Sequence, residues 1–296
     1  MMSLRRASKI LQQDQGDSPK PLLKWAGGKR QLLPHILSKL PSQMETYFEP
    51  FVGGGAVFFA LAAEQRFERA ILSDQNQELI CTYQAVKSNV AGVIKVLRTL
   101  PHNEEAYYRI RAQQPRLPER RAARMIYLNR TGYNGLYRVN RSGKFNVPFG
   151  RYVRPTICDE QRLVAVSRAL QGVTLQVADF QQLVSRAKPG DAVYFDPPYV
   201  PLSPTARFAE YHKVQFGEKE HKRLAGVYES LQRRGVQVVL SNSDTPITRA
   251  LFGHLCFETV QARRNINSAA HRRGPTNELL VYTEGNSMEP PVGAVG

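Results

Sequence analysis

The strongest constraint on the fold of this 296-residue chain is an alternation of short apolar runs with helix-length segments. Helix-length segments such as 56–65 and 218–235 stand between several of the runs. The alternation favours an α/β fold with a mostly parallel sheet covered by helices on both faces. The runs that predict strands are residues 46–52, 69–74, 173–180, 191–196, 236–242 and 278–283.

Residues 78–158 interrupt this alternation and concentrate positive charge. The segment is first helical and then rich in turns, and it has 15 Lys and Arg residues against 4 Asp and Glu residues. It therefore carries +11 of the formal net charge of +16, and tyrosines and phenylalanines are interleaved with the basic residues. This mixture is expected where a protein contacts both phosphates and bases. We predict an inserted unit that binds nucleic acid.

The rest of the composition narrows the class of protein. Hydrophobic residues make up 42% of the chain, enough for a sizeable core, and no apolar run approaches the roughly 18 residues of a membrane span. Residues 1–19 are basic without the apolar stretch of a signal peptide, so we expect a flexible arm, and residues 286–296 predict a disordered tail. Three dispersed cysteines without a C-x-x-C pair favour a reducing cytoplasm and no metal site.

A glycine-rich turn in "FEPFVGGGAVF" (48–58) lies between a predicted strand and a predicted helix. Glycines let the backbone approach a ligand, and the helix that follows offers free N–H groups. Asp74 follows Gly53 by 21 residues, at the end of the next strand, where an acid can bind ribose hydroxyls. Phe58 occupies the last glycine position of a dinucleotide fingerprint. The turn therefore suits a nucleoside, and the alternative is a tight turn braced by a capping aspartate.

The glycine pair in "LKWAGGK" (23–29) is not a Walker phosphate loop. Leu23 and Arg30 stand where that pattern needs a glycine and a Ser or Thr. We expect a helix to begin near Lys29, with N–H groups that could hold the carboxylate of an amino-acid-like ligand.

The stretch "YFDPPYVP" (194–201) stiffens the backbone beside a carboxylate and an aromatic ring. Two prolines remove two backbone donors and fix φ. Asp196 and the carbonyl of Pro197 offer two acceptors that could hold the N–H groups of an exocyclic amine and localise its lone pair. Pro198 completes the rigid turn, and Tyr199 can stack against a base. The stretch predicts transfer of a group to a base amine.

Together these motifs resemble a known enzyme family. "LKWAGGK" (23–29), "EPFVGGG" (49–55), "DPPY" (196–199) and "LNRTGYNGLYRVNRSGKFNVPFGRY" (128–152) are similar to the Dam-type, D12-class, α-group DNA adenine-N6 methyltransferases, over about residues 20–284. The resemblance implies a Rossmann-like class I methyltransferase fold. It divides the chain into a catalytic domain of residues 20–77 and 159–285 and a target-recognition domain of residues 78–158, with helices and a β-hairpin.

The resemblance implies S-adenosylmethionine as the methyl donor. Asp196, Pro197, Pro198 and Tyr199 would bind a target adenine flipped out of the duplex. The residues that match cofactor-binding positions of the family are Trp25, Ala26, Gly28 and Lys29 beside the methionine part, Glu49, Phe51, Gly53 and Gly55 in the floor, Asp74 at the ribose, Asp179 and Phe180 at the adenine, and Asp196, which the cofactor site shares with the target site.

The family's DNA-reading positions also have counterparts in this chain. Arg138 is a sensible guanine reader because its fork matches O6 and N7 of that base, and Leu136 or Pro148 could rest on a thymine methyl. The partner would be double-stranded DNA, and the implied target is GATC, modified by a monomer. The matching residues are Lys24 at an outer guanine, Tyr133 and Asn134 around the flipped base, and Leu136, Arg138, Pro148 and Tyr152 along the groove. Residues 262–278 resemble a basic loop that clamps the DNA backbone.

Two other functions remain open from the sequence. The same fold could methylate cytosine N4 or RNA, and a catalytically inactive DNA-binding protein would belong to a different class. The intact Gly53–Gly55 turn, Asp74 and DPPY stretch argue against the inactive protein. An orphan enzyme and a partner of a restriction enzyme are equally compatible with the sequence.

Overall fold

The structure is a computed structural model that describes residues 18–25, 27, 29, 31–200, 216–263 and 275–284. Within this part of the chain, no helix combines the length and the apolar character needed to cross a membrane. One seven-stranded sheet organises the molecule. Its strands are β1 (Met44–Glu49), β2 (Phe67–Ser73), β3 (Thr174–Gln176), β4 (Ala192–Phe195), β5 (Gln237–Ser243), β6 (Phe257–Arg263) and β7 (Pro275–Tyr282).

The sheet has the strand order β3-β2-β1-β4-β5-β7-β6. The first five strands in this order are parallel, and β7 pairs antiparallel with both β5 and β6. This arrangement confirms the predicted mixed, mostly parallel sheet of a Rossmann-like class I methyltransferase. Strand order reverses at β1, which pairs with both β2 and β4. Ligands of such sheets bind outside the carboxyl ends of the strands at this reversal.

All six predicted strands are present, but two details differ. The run at 173–180 forms only the short β3, because Asp179 caps a helix that begins at Phe180. The sequence did not predict β6, since "FETVQAR" alternates with polar residues as an edge strand does. Residues 262–278, predicted as a basic loop, include the end of β6 and the start of β7, and residues 264–274 lie outside the described residues.

Helices cover both faces of the sheet, as predicted. One apolar cluster contains side chains of α1–α6, and a second cluster on the other side contains side chains of α7–α9. The helices of the described chain are α1 (Leu33–Lys39), α2 (Ala56–Ala63), α3 (Gln77–Leu97), α4 (Glu104–Ala112), α5 (Pro118–Thr131), α6 (Glu160–Ala169), α7 (Phe180–Leu183), α8 (Glu218–Arg233) and α9 (Pro246–Phe252).

The helix expected near Lys29 begins one turn later, so that prediction was wrong in position. Helix α1 starts at Leu33, with Pro34 in its first turn, where a missing N–H group costs nothing. The N–H of Leu33 donates to the carbonyl of Lys29 at 2.7 Å. Lys29 therefore lies in the turn before the helix, and its side chain reaches toward Asp196.

The basic insertion is continuous with the sheet domain. Leu79 in α3 and Leu128 in α5 belong to the same apolar cluster as strand residues such as Tyr47. After α5, a 3-10 turn (Tyr133–Gly135) leads into an irregular hairpin, which has single antiparallel bridges instead of a ladder. One bridge joins Val139 to Phe145, and the chain reverses where the N–H of Asn140 donates to the carbonyl of Lys144. The domain limits at 78 and 158 stay a prediction.

A buried amide joins the first extended segment to the insertion. Asn129 in α5 is 1% exposed, and its Oδ1 accepts the N–H of Lys24 at 2.8 Å. Its Nδ2 donates to the carbonyls of Lys24 and Gly135, both at 2.8 Å. Gly135 has a φ of 64°, and a Cβ there would lie 2.5 Å from Cδ of Lys24. Lys24, in the first glycine motif, and Gly135, at the start of the hairpin, are therefore held at a fixed separation.

We expect Asn129→Ala to lower the free energy of unfolding by roughly 2–3 kcal/mol, because it leaves buried backbone groups without partners. Urea unfolding followed by circular dichroism measures this change. Asn89→Ala is the control, since Asn89 is exposed and its amide bonds to Glu119 and Gly92. Equal losses in the two variants would show that the buried amide has no special role.

Candidate active site

The motif residues of the catalytic domain converge at the carboxyl ends of the parallel strands. The Gly53–Gly55 turn follows β1, Asp74 follows β2 and Asp196 follows β4. Ser241 lies near the carboxyl end of the neighbouring strand β5. This edge is where ligands of open α/β sheets bind, so the sequence motifs form one site.

Gly53 allows Trp25 to pack directly on the glycine turn. It has a φ of 47°, and a Cβ at this position would lie 2.7 Å from Cδ1 of Trp25. Asp74 braces the same turn, since its Oδ2 accepts the N–H of Gly53 at 3.1 Å and its Oδ1 accepts the N–H of Asn76 at 2.8 Å. Burial raises the pKa of Asp74, and these backbone donors oppose the rise. These contacts are the ones expected if Asp74 only braces a tight turn, and they also place its carboxylate beside that turn.

Glu49 is a buried acid at the end of β1. It is 2% exposed, and its Oε2 accepts hydrogen bonds from the hydroxyl of Tyr47 at 2.9 Å and from the N–H of Phe58 at 3.1 Å. Burial raises the pKa of Glu49 from the ordinary 4.5 to about 8, although its hydrogen bonds oppose the rise. The neutral acid therefore predominates at pH 7 in the cofactor-free protein.

Glu49 should make the stability of the cofactor-free protein depend on pH. The folded protein keeps the proton up to a pKa of about 8, whereas the unfolded chain releases it near 4.5, so folding loses stability as pH rises between these values. Glu49→Gln cannot ionise and escapes this loss. We expect the variant's unfolding temperature to rise relative to wild type from pH 5 to pH 8, measured by scanning fluorimetry. A difference that is constant or shrinks would contradict the assignment.

Asp196 is held through one of its two carboxylate oxygens. Lys29 Nζ lies 2.8 Å from Oδ1, and the hydroxyl of Ser241 donates to the same oxygen at 3.2 Å. Among the described residues no hydrogen bond reaches Oδ2, and 22% of the side chain is exposed. Burial raises the pKa of Asp196, Lys29 opposes the rise, and Glu278 adds to it. The carboxylate is therefore fixed in orientation while one oxygen stays open to a ligand.

Lys29 has contacts that the sequence did not predict. Its ammonium contacts Asp196 and donates to the carbonyl of Gly27 at 2.5 Å, and its place beside the methionine part of the cofactor stays a prediction. It also lies 4.7 Å from the ring centroid of Tyr199. Lys29 is only 4% exposed, and its charge is balanced by the carboxylate of Asp196. Ala26 and Gly28, two other predicted cofactor residues, lie outside the described residues.

Tyr199 is fixed at both its ring and its hydroxyl. The hydroxyl donates to Oε2 of Glu278 at 2.6 Å, and the ring lies beside the ammonium of Lys29. Burial raises the pKa of Tyr199 well above its usual value, and the nearby carboxylates of Asp196 and Glu278 add to this. Within the same turn, Pro197 is buried and Pro198 is exposed.

The predicted adenine end of the cofactor site has an aromatic wall and an ion pair. Phe51 and Phe180 lie with ring centroids 5.6 Å apart. Arg223 of α8 stacks on Phe180 at 4.2 Å and pairs with both oxygens of Asp179 at 2.9 and 2.7 Å. Its guanidinium lowers the pKa of Asp179. Asp179 is therefore ionised and oriented, with Arg223 as a partner that the sequence did not reveal.

The predicted DNA-reading residues lie close together around the 3-10 turn and the hairpin. The N–H of Tyr133 donates to the carbonyl of Pro148 at 2.9 Å, and the N–H of Leu136 donates to the carbonyl of Tyr133 at 3.2 Å. Asn134 is exposed and has a φ of 54°, in the left-handed region that is costly for most side chains. Tyr133 is 49% exposed. An aromatic and an amide side chain are thus presented to solvent at one point.

Arg138 and Lys24 project from neighbouring parts of this surface. Asn146, across the hairpin, accepts hydrogen bonds from Arg138 Nε through Oδ1 at 2.8 Å and from Arg138 Nη2 through its carbonyl at 3.0 Å. The guanidinium plane is therefore oriented before any ligand binds. Lys24 Nζ lies 5.0 Å from the ring centroid of Tyr152, and both residues line an open pocket of about 320 Å³ together with Arg130.

Several residues of the site were missed from the sequence although signals were present. The run "VVLSNS" ends β5 with polar residues at the ligand-binding edge, which points to Ser241. Glu278 is a lone acid in the apolar strand "ELLVY" and is 7% exposed. Nothing in the local sequence pairs Lys29 with Asp196, because the contact spans the fold.

Comparison with known proteins agrees with this geometry. The family model of the D12 class N6 adenine-specific DNA methyltransferase matches residues 25–266. The chain belongs to this family. It is 39% identical over 274 residues to the DNA adenine methylase of Escherichia coli K12, covering 90% of this chain and 96% of that protein. It is 38% identical over 277 residues to the Type II methyltransferase M1.LlaDCHI of Lactococcus lactis subsp. cremoris, with the same coverage.

Another relative comes from an archaeon. The Type II methyltransferase M.MjaIII of Methanocaldococcus jannaschii is 40% identical over 274 residues, covering 86% of this chain and 95% of that protein. The family resemblance read from the four sequence motifs is therefore confirmed. The matched residues include the glycine turn, the DPPY stretch and the whole insertion.

Proposed function

We propose that this D12-class enzyme transfers a methyl group from S-adenosylmethionine to N6 of an adenine flipped out of duplex DNA, within GATC. The observation that carries the proposal is Asp196. Its Oδ1 is held by Lys29 and Ser241, while Oδ2 is open to a ligand. An amine bound there would meet an acceptor that is already aligned, so little reorganisation accompanies the reaction.

The residues present fit S-adenosylmethionine. Trp25 packs against Gly53 so closely that a Cβ would clash, and this turn leads into the N-terminus of α2, which favours a negatively charged group such as a carboxylate. Glu49 is a buried acid that can ionise toward the positively charged methionine end, and Asp74 lies where ribose hydroxyls would bind. When bound, the cofactor supplies an electrophilic methyl group on a positively charged sulfur.

The protein's contribution to the chemistry is to hold the target amine. The lone pair of adenine N6 is delocalised into the ring, which makes the amine planar and a poor nucleophile. Asp196 Oδ2 and the carbonyl of Pro197 would each accept one N–H, which favours a geometry in which the lone pair is localised on nitrogen. After transfer, Asp196 would be an acceptor for the proton that leaves the amine, and its raised pKa suits that role.

Features of the surface beside this site support duplex DNA as the substrate. Base chemistry on a duplex requires that the target leave the stack, and Tyr133 and Asn134 are exposed where they could fill the vacated space. Tyr199 offers an oriented ring against which the flipped adenine could stack. The +11 charge of residues 78–158 would contact phosphates. We propose a monomer as the active form, since a palindromic target lets one molecule modify either strand in turn.

Labelled S-adenosylmethionine and a duplex of known sequence test the reaction. Hydrolysis of the product to nucleosides should yield N6-methyladenine, whereas N4-methylcytosine, or methylation of RNA alone, would support the alternative amino methyltransferases. Asp196→Ala should slow transfer by roughly 10²–10³-fold, the usual cost of removing one aligned group, and should leave cofactor affinity measured by calorimetry largely unchanged. Asp196→Asn is the matched variant that preserves shape. Near-wild-type turnover in either variant would refute the role of Asp196.

The proposed target sequence rests on four side chains. Arg138 is oriented by Asn146 and can make a bidentate contact with guanine. Lys24 beside Tyr152 would read a second guanine, and Leu136 or Pro148 would favour a thymine methyl. A palindrome of G, A, T and C satisfies these contacts.

Arg138→Ala should weaken the preference at one guanine position by roughly 1–3 kcal/mol, while the rate on a site altered at that position falls much less. Transfer rates on GATC and on single-base variants of GATC measure this preference. Arg141→Ala on the same hairpin is the control. If Arg141 contacts a phosphate, its loss should weaken binding to all sequences alike. Methylation-sensitive sequencing of treated DNA checks the target, and modified adenines mainly outside GATC would overturn it.

A further inference from the structure

We propose that Glu278 is a positioning residue that orients Tyr199 for stacking against the target base. This inference rests on the proposed function, because it assigns the stacking role to Tyr199. The hydroxyl of Tyr199 donates to Oε2 of Glu278 at 2.6 Å, and Glu278 is 7% exposed. This distance is at the short end of the usual range for O–H···O hydrogen bonds.

The sheet gives Glu278 a rigid base from which to act. Glu278 lies on β7, between two neighbouring strands, where it pairs in register with Ser243 of β5 and Val260 of β6. A side chain on a doubly paired strand has little freedom to follow movement of a turn. The Tyr199 hydroxyl is thus anchored to the central sheet, not to another loop.

The rest of the turn is fixed from the same direction. Asn242 Oδ1 accepts the N–H of Val200 at 3.3 Å, and Ser243 Oγ donates to the carbonyl of Val200 at 2.7 Å. These bonds hold the backbone after Tyr199, whereas Ser241 holds the carboxylate of Asp196 before the prolines. Only the bond to Glu278 restrains the far end of the tyrosine ring among the described residues.

Orientation matters because stacking needs the correct ring face. Lys29 Nζ lies 4.7 Å from the centroid of the Tyr199 ring. An ammonium over one face leaves the opposite face for a base, so a ring that rotates about its side-chain torsions would lose this arrangement. A displacement of the flipped adenine by about 1 Å can lower the rate of methyl transfer by about two orders of magnitude. We therefore expect Glu278 to affect the transfer rate more than DNA affinity.

A double-mutant cycle tests the proposal. Tyr199→Phe removes only the hydroxyl, and Glu278→Leu removes the acceptor while filling the strand position. Each should slow single-turnover methylation of duplex DNA roughly ten-fold, with KM for DNA changed by less than three-fold. The double variant should be about as slow as either single variant, because both remove the same contact. Glu278→Gln keeps an acceptor of the same size and should recover most of the rate.

The outcomes separate this proposal from simpler ones. Losses that multiply in the double variant would show that Glu278 acts independently of Tyr199 and would overturn the inference. Equal activity of Glu278→Leu and wild type would do the same. Tyr127→Phe is the control, since it removes the hydroxyl of another buried tyrosine, one that donates to the carbonyl of Pro101. Wild-type protein that produces no N6-methyladenine would reject the proposed function instead, and thermal unfolding identifies variants that fail to fold.

Discussion

The buried amide of Asn129 is the contact on which the arrangement of the two binding surfaces depends. It pairs in both directions with the backbone of Lys24 and also holds the carbonyl of Gly135. Lys24 lies at the proposed DNA-reading surface, beside Tyr152, and its neighbour Trp25 packs on the glycine turn. The two candidate surfaces therefore meet along one extended segment. Loss of this bond would disturb both surfaces, since a buried amide has no solvent to replace its partners.

Among the described residues, charge in the candidate active site is organised around the buried ammonium of Lys29. Lys29 lies against Asp196 and beside the Tyr199 ring, and Glu278 lies at the far end of that ring. Burial raises the pKa of Asp196 and the carboxylate of Glu278 adds to the rise, whereas the ammonium of Lys29 opposes it. The side chains around DPPY are therefore interdependent. Each is positioned by partners from a different strand or turn, so the carboxylate of Asp196 is held through Oδ1 while Oδ2 has no hydrogen-bond partner among the described residues.

The sequence predicted those parts of the molecule that local patterns encode. Alternating apolar runs identified six of the seven strands, and the turn residues of DPPY and Gly53–Gly55 marked the site. Edge strand β6 was missed because a half-exposed strand lacks a continuous apolar run. Ser241 and Glu278 were not found, and neither was the contact of Lys29 with Asp196, since these contacts join residues that are 45 to 167 positions apart in sequence. Such contacts are properties of the folded sheet.

Stacking also connects the cofactor side to the recognition hairpin. The rings of Trp25 and Tyr137 are stacked with centroids 5.6 Å apart, and Tyr137 contacts Phe145 edge-on at 5.8 Å. Tyr137 directly precedes Arg138, and Trp25 directly follows Lys24. A displacement of Trp25 would therefore shift the positions of both proposed guanine readers, Lys24 and Arg138. Because packed rings resist small displacements, these contacts hold the segments of both proposed guanine readers at a fixed distance from the glycine turn.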